Sequence, residues 1–191
     1  MSSKGKLFII SAPSGAGKTT LCQKVLKQVK DIQASISYTT RPPRPNEIQG
    51  KDYFFVTETQ FEHMEENGDF IEAANVHGAL YGQSKRFIES TLSKGIHVLA
   101  NVDIQGAKTL KKKFPDAVTI FIHPPSFEEL KKRLVDRKSD TQETISKRLK
   151  IAELELKEAS HYEFEIVNDD LERAVNDLIK IIGIHAGDSK K

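Results

Sequence analysis

The stretch FIISAPSGAGKTT, Phe8 to Thr20, restricts the fold of this chain more than any other. An apolar run enters it, and the helical pattern KTTLCQKVLKQV leaves it. Between a strand and a helix, Gly, four residues, then Gly-Lys and Ser or Thr make a phosphate-binding loop. The backbone amides around Ser14–Thr19 are then expected to point inward at phosphate oxygens, with the positive end of the following helix behind them. Lys18 would reach the outer phosphates and Thr19 would ligate Mg²⁺. The first position of the pattern holds Ala12 in place of glycine. A methyl fits there if φ is negative, because only a positive φ demands glycine. The residues expected around a nucleotide's phosphates are therefore Ala12, Pro13, Ser14, Gly15, Ala16, Gly17, Lys18, Thr19 and Thr20.

The rest of the chain gives this loop an α/β setting. Leu7–Ile10, Val98–Val102, Val118–Ile122 and Phe164–Val167 are short apolar runs, as strands buried on both faces should be. Each leads through a polar turn into a helical pattern, so a mostly parallel sheet with helices on both faces is expected. Ligands in such sheets bind at the carboxyl ends of the strands. Helix starts are marked by the capping-box spacings SFEE at Ser126, DTQE at Asp140, TETQ at Thr57 and DDLE at Asp169, and stops by Gly68 and Gly95. Two stretches interrupt the core pattern. Residues 35–94 carry the proline-rich TTRPPRPNE and a strand-like DYFFV, and residues 127–157 are charged and helical. Core segments at 1–34, 95–126 and 158–191 would close around these two insertions within one domain, which suits a length of 191 residues.

Charge and cysteine content narrow the setting. A balance of 29 basic against 27 acidic residues, net +2, leaves no electrostatic footprint for duplex nucleic acid or an anionic membrane. The N-terminal run is too short for a signal peptide or a membrane span. A single cysteine, Cys22, and histidines such as His63, His77 and His161 with no ligand-like spacing speak against disulfides and structural zinc, and cytoplasm is the expected location.

Further along, SISYTTRPPRPNEIQGKDYFFV, DFIEAANVHGALYGQS, VDIQGAK, FIHPPSFEELKKRL, KRL and VNDDL follow in the order and approximate spacing of guanylate kinases, and the chain resembles that family over nearly its whole length. The resemblance implies ATP-dependent phosphorylation of GMP to GDP with Mg²⁺. It also implies a GMP-binding subdomain at 35–94 and a lid at 127–157, the two stretches set apart by texture. By resemblance, Arg41 and Arg44 hold the GMP phosphate with hydroxyl donors from Tyr53 and Tyr81, a chemistry that guanidinium forks and stiff phenols suit. Glu72, with Ser37 beside it, would read guanine, since one carboxylate can accept both N1–H and the 2-amino group. AMP would leave that charge unpaired. Arg133, Arg137 and Arg148 would line the lid and neutralise the phosphoryl group in flight, Lys18 and Arg41 acting with them. Asn168 would lie on the adenine side.

Two positions depart from the family pattern. Gln83 stands where Ser or Thr usually contacts the base, and its amide could meet the guanine carbonyl. Asn101 stands where an Asp-x-Asp usually begins, leaving Asp103 for the guanine amino group or the water around the metal. The bland readings are a solvated basic turn at Arg41 and Arg44, an ordinary surface glutamate at 72, and lid arginines paired with acids four residues away. The competing functions are another nucleoside monophosphate kinase and a non-catalytic guanylate-kinase-like binding module. The intact Lys18-Thr19 argues against the module and Glu72 against other bases, while dGMP remains a candidate substrate and the oligomeric state is left open.

Overall fold

The computed structural model describes residues 4–76, 78–136 and 142–187. In chain order the elements are β1 (Leu7–Ser11), α1 (Lys18–Gln28), β2 (Ile32–Ser35), β3 (Tyr38–Thr39), β4 (Phe54–Phe55), α2 (Glu58–Glu66), β5 (Phe70–Val76) and β6 (Ala79–Ser84). They continue with α3 (Lys85–Ser93), β7 (His97–Asn101), α4 (Ile104–Lys113), β8 (Val118–His123), α5 (Phe127–Asp136), α6 (Gln142–Lys157), β9 (Phe164–Val167) and α7 (Leu171–Ala186).

Five strands form a parallel sheet in the order β2-β7-β1-β8-β9. β1 lies in the middle and all its residues are buried, which is why its sequence is a continuous apolar run. Alternation along the strand divides its side chains between two layers. Phe8 and Ile10 pack with Leu21 and Val25 of α1 and with Val175 and Leu178 of α7. Leu7 and Ile9 pack on the opposite face with Ile88 and Leu92 of α3 and Leu110 of α4. Each fully buried aliphatic side chain contributes about 1.5–3 kcal/mol, so both helical layers are held chiefly by this strand and its neighbours.

A second, four-stranded sheet, β4-β3-β6-β5, lies within residues 35–94. The last helix of that stretch, α3, packs against the core sheet. Among the described residues no helix is long and apolar enough to cross a membrane.

The helix signals map closely. Thr57 and Gln60 make the reciprocal capping box of α2, and the Ser126 hydroxyl accepts from the Glu129 amide at 3.0 Å. Gly68 and Gly95 have φ of 70° and 78°, as residues that end helices do. Two expectations are corrected. α7 is capped by Asp170, which accepts from the Arg173 amide, one residue later than DDLE suggests, because Asp169 turns to the Arg173 guanidinium. DYFFV yields a strand only at Phe54–Phe55. The capping signal at Asp140 lies outside the described residues.

Candidate active site

The carboxyl ends of β1 and β7 lie side by side, Ile10 opposite Asn101, so the loops that leave them share one rim. Residues 12–17 form the first loop. Gly17, at φ 89°, precedes α1, and a Cβ there would strike the Asn168 amide nitrogen. Both the backbone angle and the close approach require glycine. Asn168 is buried, and its Nδ2 donates to the Ala16 carbonyl at 2.7 Å. It therefore shapes the loop from beneath, a role the sequence did not indicate for a residue expected on the adenine side. Among the described residues only Asp31 and Asn46 combine a side chain with positive φ, so Ala12 keeps an ordinary backbone angle. The Lys18 ammonium donates to the Val102 carbonyl. Burial pushes its pKa down, with Cys22, Asp103 and Glu155 opposing the shift.

This rim continues into a cavity of about 260 Å³. Ser14, Gly15, Gly17, Lys18, Thr19 and Thr20 form one wall, while Ser37, Arg41, Arg44, Tyr53, Glu72 and Tyr81 form another. The residues expected from two separate parts of the chain thus face a common space. Arg41 donates through Nε to the Tyr81 hydroxyl at 3.2 Å and through Nη2 to both carboxylate oxygens of Glu47, at 2.8 and 2.9 Å. Its guanidinium carbon lies 5.4 Å from the Tyr53 ring centroid, and the Tyr53 and Tyr81 rings meet edge to face at 5.9 Å. Burial raises the Tyr53 pKa, which keeps the phenol a proton donor near neutral pH. Glu47 also accepts the Arg44 amide at 2.7 Å. Sequence reading missed this carboxylate, which ties the proline turn together. An acid in an irregular loop has no periodicity to announce its partners.

Glu72 owes its burial to an irregularity in β5. The register with β6 shifts between Phe70 and Glu72, and a bulge re-aims side chains. Ile71 and Glu72 are consecutively buried, at 5% and 6% exposure, where regular alternation would expose one of them. Ile71 joins the core, and Glu72 faces the cavity with Ala74 and Val76. Gly106, near the start of α4, lets that helix come close, since a Cβ there would lie 3.0 Å from the Glu72 carboxylate. Burial pushes the Glu72 carboxyl up from 4.5 to about 8, and the charge of Asp103 adds to this while Lys113 opposes it.

Other expected residues lie differently. Gln83 is fully buried beneath this wall. Its Oε1 accepts from Ser35, and its Nε2 donates to the Ser37 hydroxyl at 2.6 Å. The amide is consumed in positioning Ser37 and does not face the cavity, which corrects the expectation that it meets the base. Asp103 lines the cavity but also caps α4, accepting the Gly106 amide at 2.7 Å. Arg148 lines the cavity and donates to the Ser14 hydroxyl at 2.5 Å. Arg133 pairs with Glu129 four residues away, at 3.2 Å, as a surface helix pair would, although its guanidinium also approaches Gly17. Arg137 lies outside the described residues. Glu155, which the sequence did not single out, lines the cavity. Its spacing of seven from Arg148, two helical turns on one face, was the available signal.

No group of three acidic, histidine or cysteine residues that could cage a metal occurs among the described residues. Thr19, Asn101 and Asp103, whose side chains carry oxygen, nonetheless line the same cavity. That donor set fits Mg²⁺, which prefers oxygen, retains waters and is shared with substrate phosphates.

A parallel sheet, a phosphate loop at its carboxyl edge and a facing wall of arginines, tyrosines and a buried carboxylate define the class: a P-loop nucleotide phosphotransferase fold. The family model for guanylate kinase matches residues 4–184. A guanylate kinase of Geobacter sulfurreducens is 48% identical over 182 residues, covering 95% of this chain and 90% of that protein. One from Thermotoga maritima is 42% identical over 179 residues, with 94% and 86% covered. The crystal structure of guanylate kinase from Anaplasma phagocytophilum superposes with a TM-score of 0.82 at 33% identity, over 98% of this chain and 89% of that one. The chain belongs to the guanylate kinase family.

Proposed function

We propose that this chain transfers the γ-phosphoryl group of ATP to GMP, giving ADP and GDP, with Mg²⁺ bound beside the donor. One observation carries the reading: a single cavity joins the phosphate loop to Ser37, Arg41, Arg44, Tyr53, Glu72 and Tyr81. ATP phosphates would lie against the amides of Ser14–Thr19 and Lys18. The GMP phosphate would lie against Arg41, Arg44, Tyr53 and Tyr81, and the guanine against Glu72 and Ser37, with Asp103 beside them.

The reaction needs no covalent enzyme intermediate. A GMP phosphate oxygen attacks the γ-phosphorus in line. The new P–O bond forms as the bond to the β–γ bridging oxygen breaks, and ADP leaves with that electron pair. Mg²⁺, held by Thr19 and the substrate phosphates, would neutralise charge on the transferring group. Arg41 and Arg44 orient the acceptor, while Lys18 and Arg148 offset the repulsion between two polyanions. Arg133 and Arg137 would join them as parts of a lid at 127–157, which closes against water. The 35–94 stretch would act as the GMP-binding part, dGMP as a second acceptor, and the cytoplasm as the place of work.

Turnover of the Lys18→Met and Glu72→Gln variants with Mg-ATP and GMP tests this reading. GDP formation should be lost in the first, and the GMP requirement should rise selectively in the second. Unchanged turnover in both would remove the site.

A further inference from the structure

We infer, resting on the guanine reading of the cavity wall, that Gln83 and Ser35 fix the polarity of the Ser37 hydroxyl. They make it a committed donor, which selects purine nucleotides with an oxo group at position 6 over those with an amino group there.

Gln83 stands opposite Glu72 across β5 and β6, and directly opposed residues of an antiparallel pair lie on one face. Its amide reaches the Ser37 hydroxyl at 2.6 Å, so a single side chain separates Ser37 from the neighbourhood of Glu72. Glu72 and Ser37 line the cavity, whereas Gln83 and Ser35 lie behind them. The edge of guanine carries its 2-amino group, N1–H and 6-oxo group in that order. A carboxylate that takes the first two leaves the oxo group to the next polar atom along the wall, and Ser37 supplies it.

Three buried polar groups run in one direction. The Ser35 hydroxyl donates to Gln83 Oε1, and Gln83 Nε2 donates to the Ser37 hydroxyl oxygen. All three residues are buried, so water does not compete for these bonds. A serine hydroxyl has one proton. Ser37 meets the amide as an acceptor, and its proton is left for the cavity, where an oxo group satisfies it. A 6-amino group instead sets a donor against a donor. Turning the Ser37 proton back would require the amide to flip, and would take from the Ser35 hydroxyl its acceptor. Gln83 and Ser35 are thus positioning residues that act on the base through Ser37.

Calorimetric titration of the full chain with GMP, with the 2,6-diaminopurine ribonucleotide and with Mg-ADP tests this in the wild type, Q83M and S35A. The diaminopurine keeps the 2-amino group and carries an amino group in place of the oxo group. Q83M keeps the length of the side chain but removes both bonds, and S35A removes the donor that orients the amide. Either change frees Ser37 to accept as well as donate. The preference for GMP over the diaminopurine should fall about tenfold in Q83M and at least about threefold in S35A, the scale of one hydrogen bond. Mg-ADP affinity should stay within about twofold; if Q83M loses it through misfolding, S35A decides alone. General damage to the wall would weaken both purines alike and leave their ratio unchanged. In an S37A background, Q83M should leave the ratio within about twofold, because the effect passes through Ser37. A ratio unchanged or raised in a folded variant, or an equal fall in the S37A background, would overturn the inference and leave the guanine reading in place. A wild type with no preference for GMP would overturn that reading, and the role of Gln83 with it.

Discussion

Replacing Glu72 with glutamine separates a guanine reader from an ordinary buried acid, because the two roles move activity and stability in opposite directions. A carboxylate accepting N1–H and the 2-amino group of guanine makes two charge-assisted hydrogen bonds, each worth about 1.5–3 kcal/mol. Burial and Asp103 hold this carboxyl at about 8, so near pH 7 it must first lose a proton, which costs about 1.4 kcal/mol. The net advantage over glutamine, which offers one acceptor and an opposing donor, is then about 2–4 kcal/mol, or about 30- to 1000-fold in kcat/KM for GMP. The KM for ATP should stay within about threefold. For the same reason, wild-type affinity for GMP should rise between pH 7 and 8.5, as the free carboxyl ionises without assistance.

Stability runs the other way. A carboxyl raised in the folded chain from 4.5 to about 8 contributes stability that is complete below 4.5 and is lost as pH rises through 8. The full span corresponds to an upper limit of about 5 kcal/mol. Glutamine does not titrate, so the Tm of E72Q relative to wild type should increase from pH 5 to about pH 8 and level off above it. Steady-state assays of ADP release and thermal melts across that range read both effects. A GMP requirement unchanged by E72Q, or a relative Tm that falls with pH, would refute the reasoning.

Three further outcomes are expected. Lys18→Met should lower kcat by at least about 10²-fold, the loss typical of a preorganised charge at the reacting group, as measured by GDP formation at saturating substrates. Glu47→Gln should loosen the proline turn by weakening the paired acceptors of Arg41, raising the KM for GMP about tenfold while leaving the KM for ATP unchanged. Burial pushes the Cys22 thiol up to about 12, so a disulfide reagent should fail to label the native protein at pH 8 and label it fully in denaturant.

What could be read in advance follows from how each element is buried. β1, β7 and β8 were legible because they lie inside the sheet and are apolar almost throughout. β2 was missed because its sequence IQAS holds one large apolar residue, whereas β9, the other edge strand, keeps three in FEIV and so stood out although only Ile166 is buried. β5 hides its period behind the bulge that buries Ile71 and Glu72 in succession. The loop between β1 and α1 was legible as a local motif, because Gly15, Gly17 and Lys18 stand at fixed spacing between a strand and a helix. The facing wall became legible through family resemblance, since Arg41, Glu72 and Tyr81 meet only when the second sheet folds. The irregular residues turned out to be supports. Gln83 positions Ser37, Asn168 holds Ala16, and Glu47 clamps Arg41, each through a contact between distant or non-periodic positions.

The base preference of the acceptor tests the central claim most directly. ADP release with Mg-ATP, measured across GMP, dGMP, AMP, CMP, UMP and dTMP, should be rapid with GMP and detectable with dGMP, and should fall at least about 10²-fold for the others. Preferred turnover of any base other than guanine would contradict the assignment of Glu72 and of the cavity wall built around it.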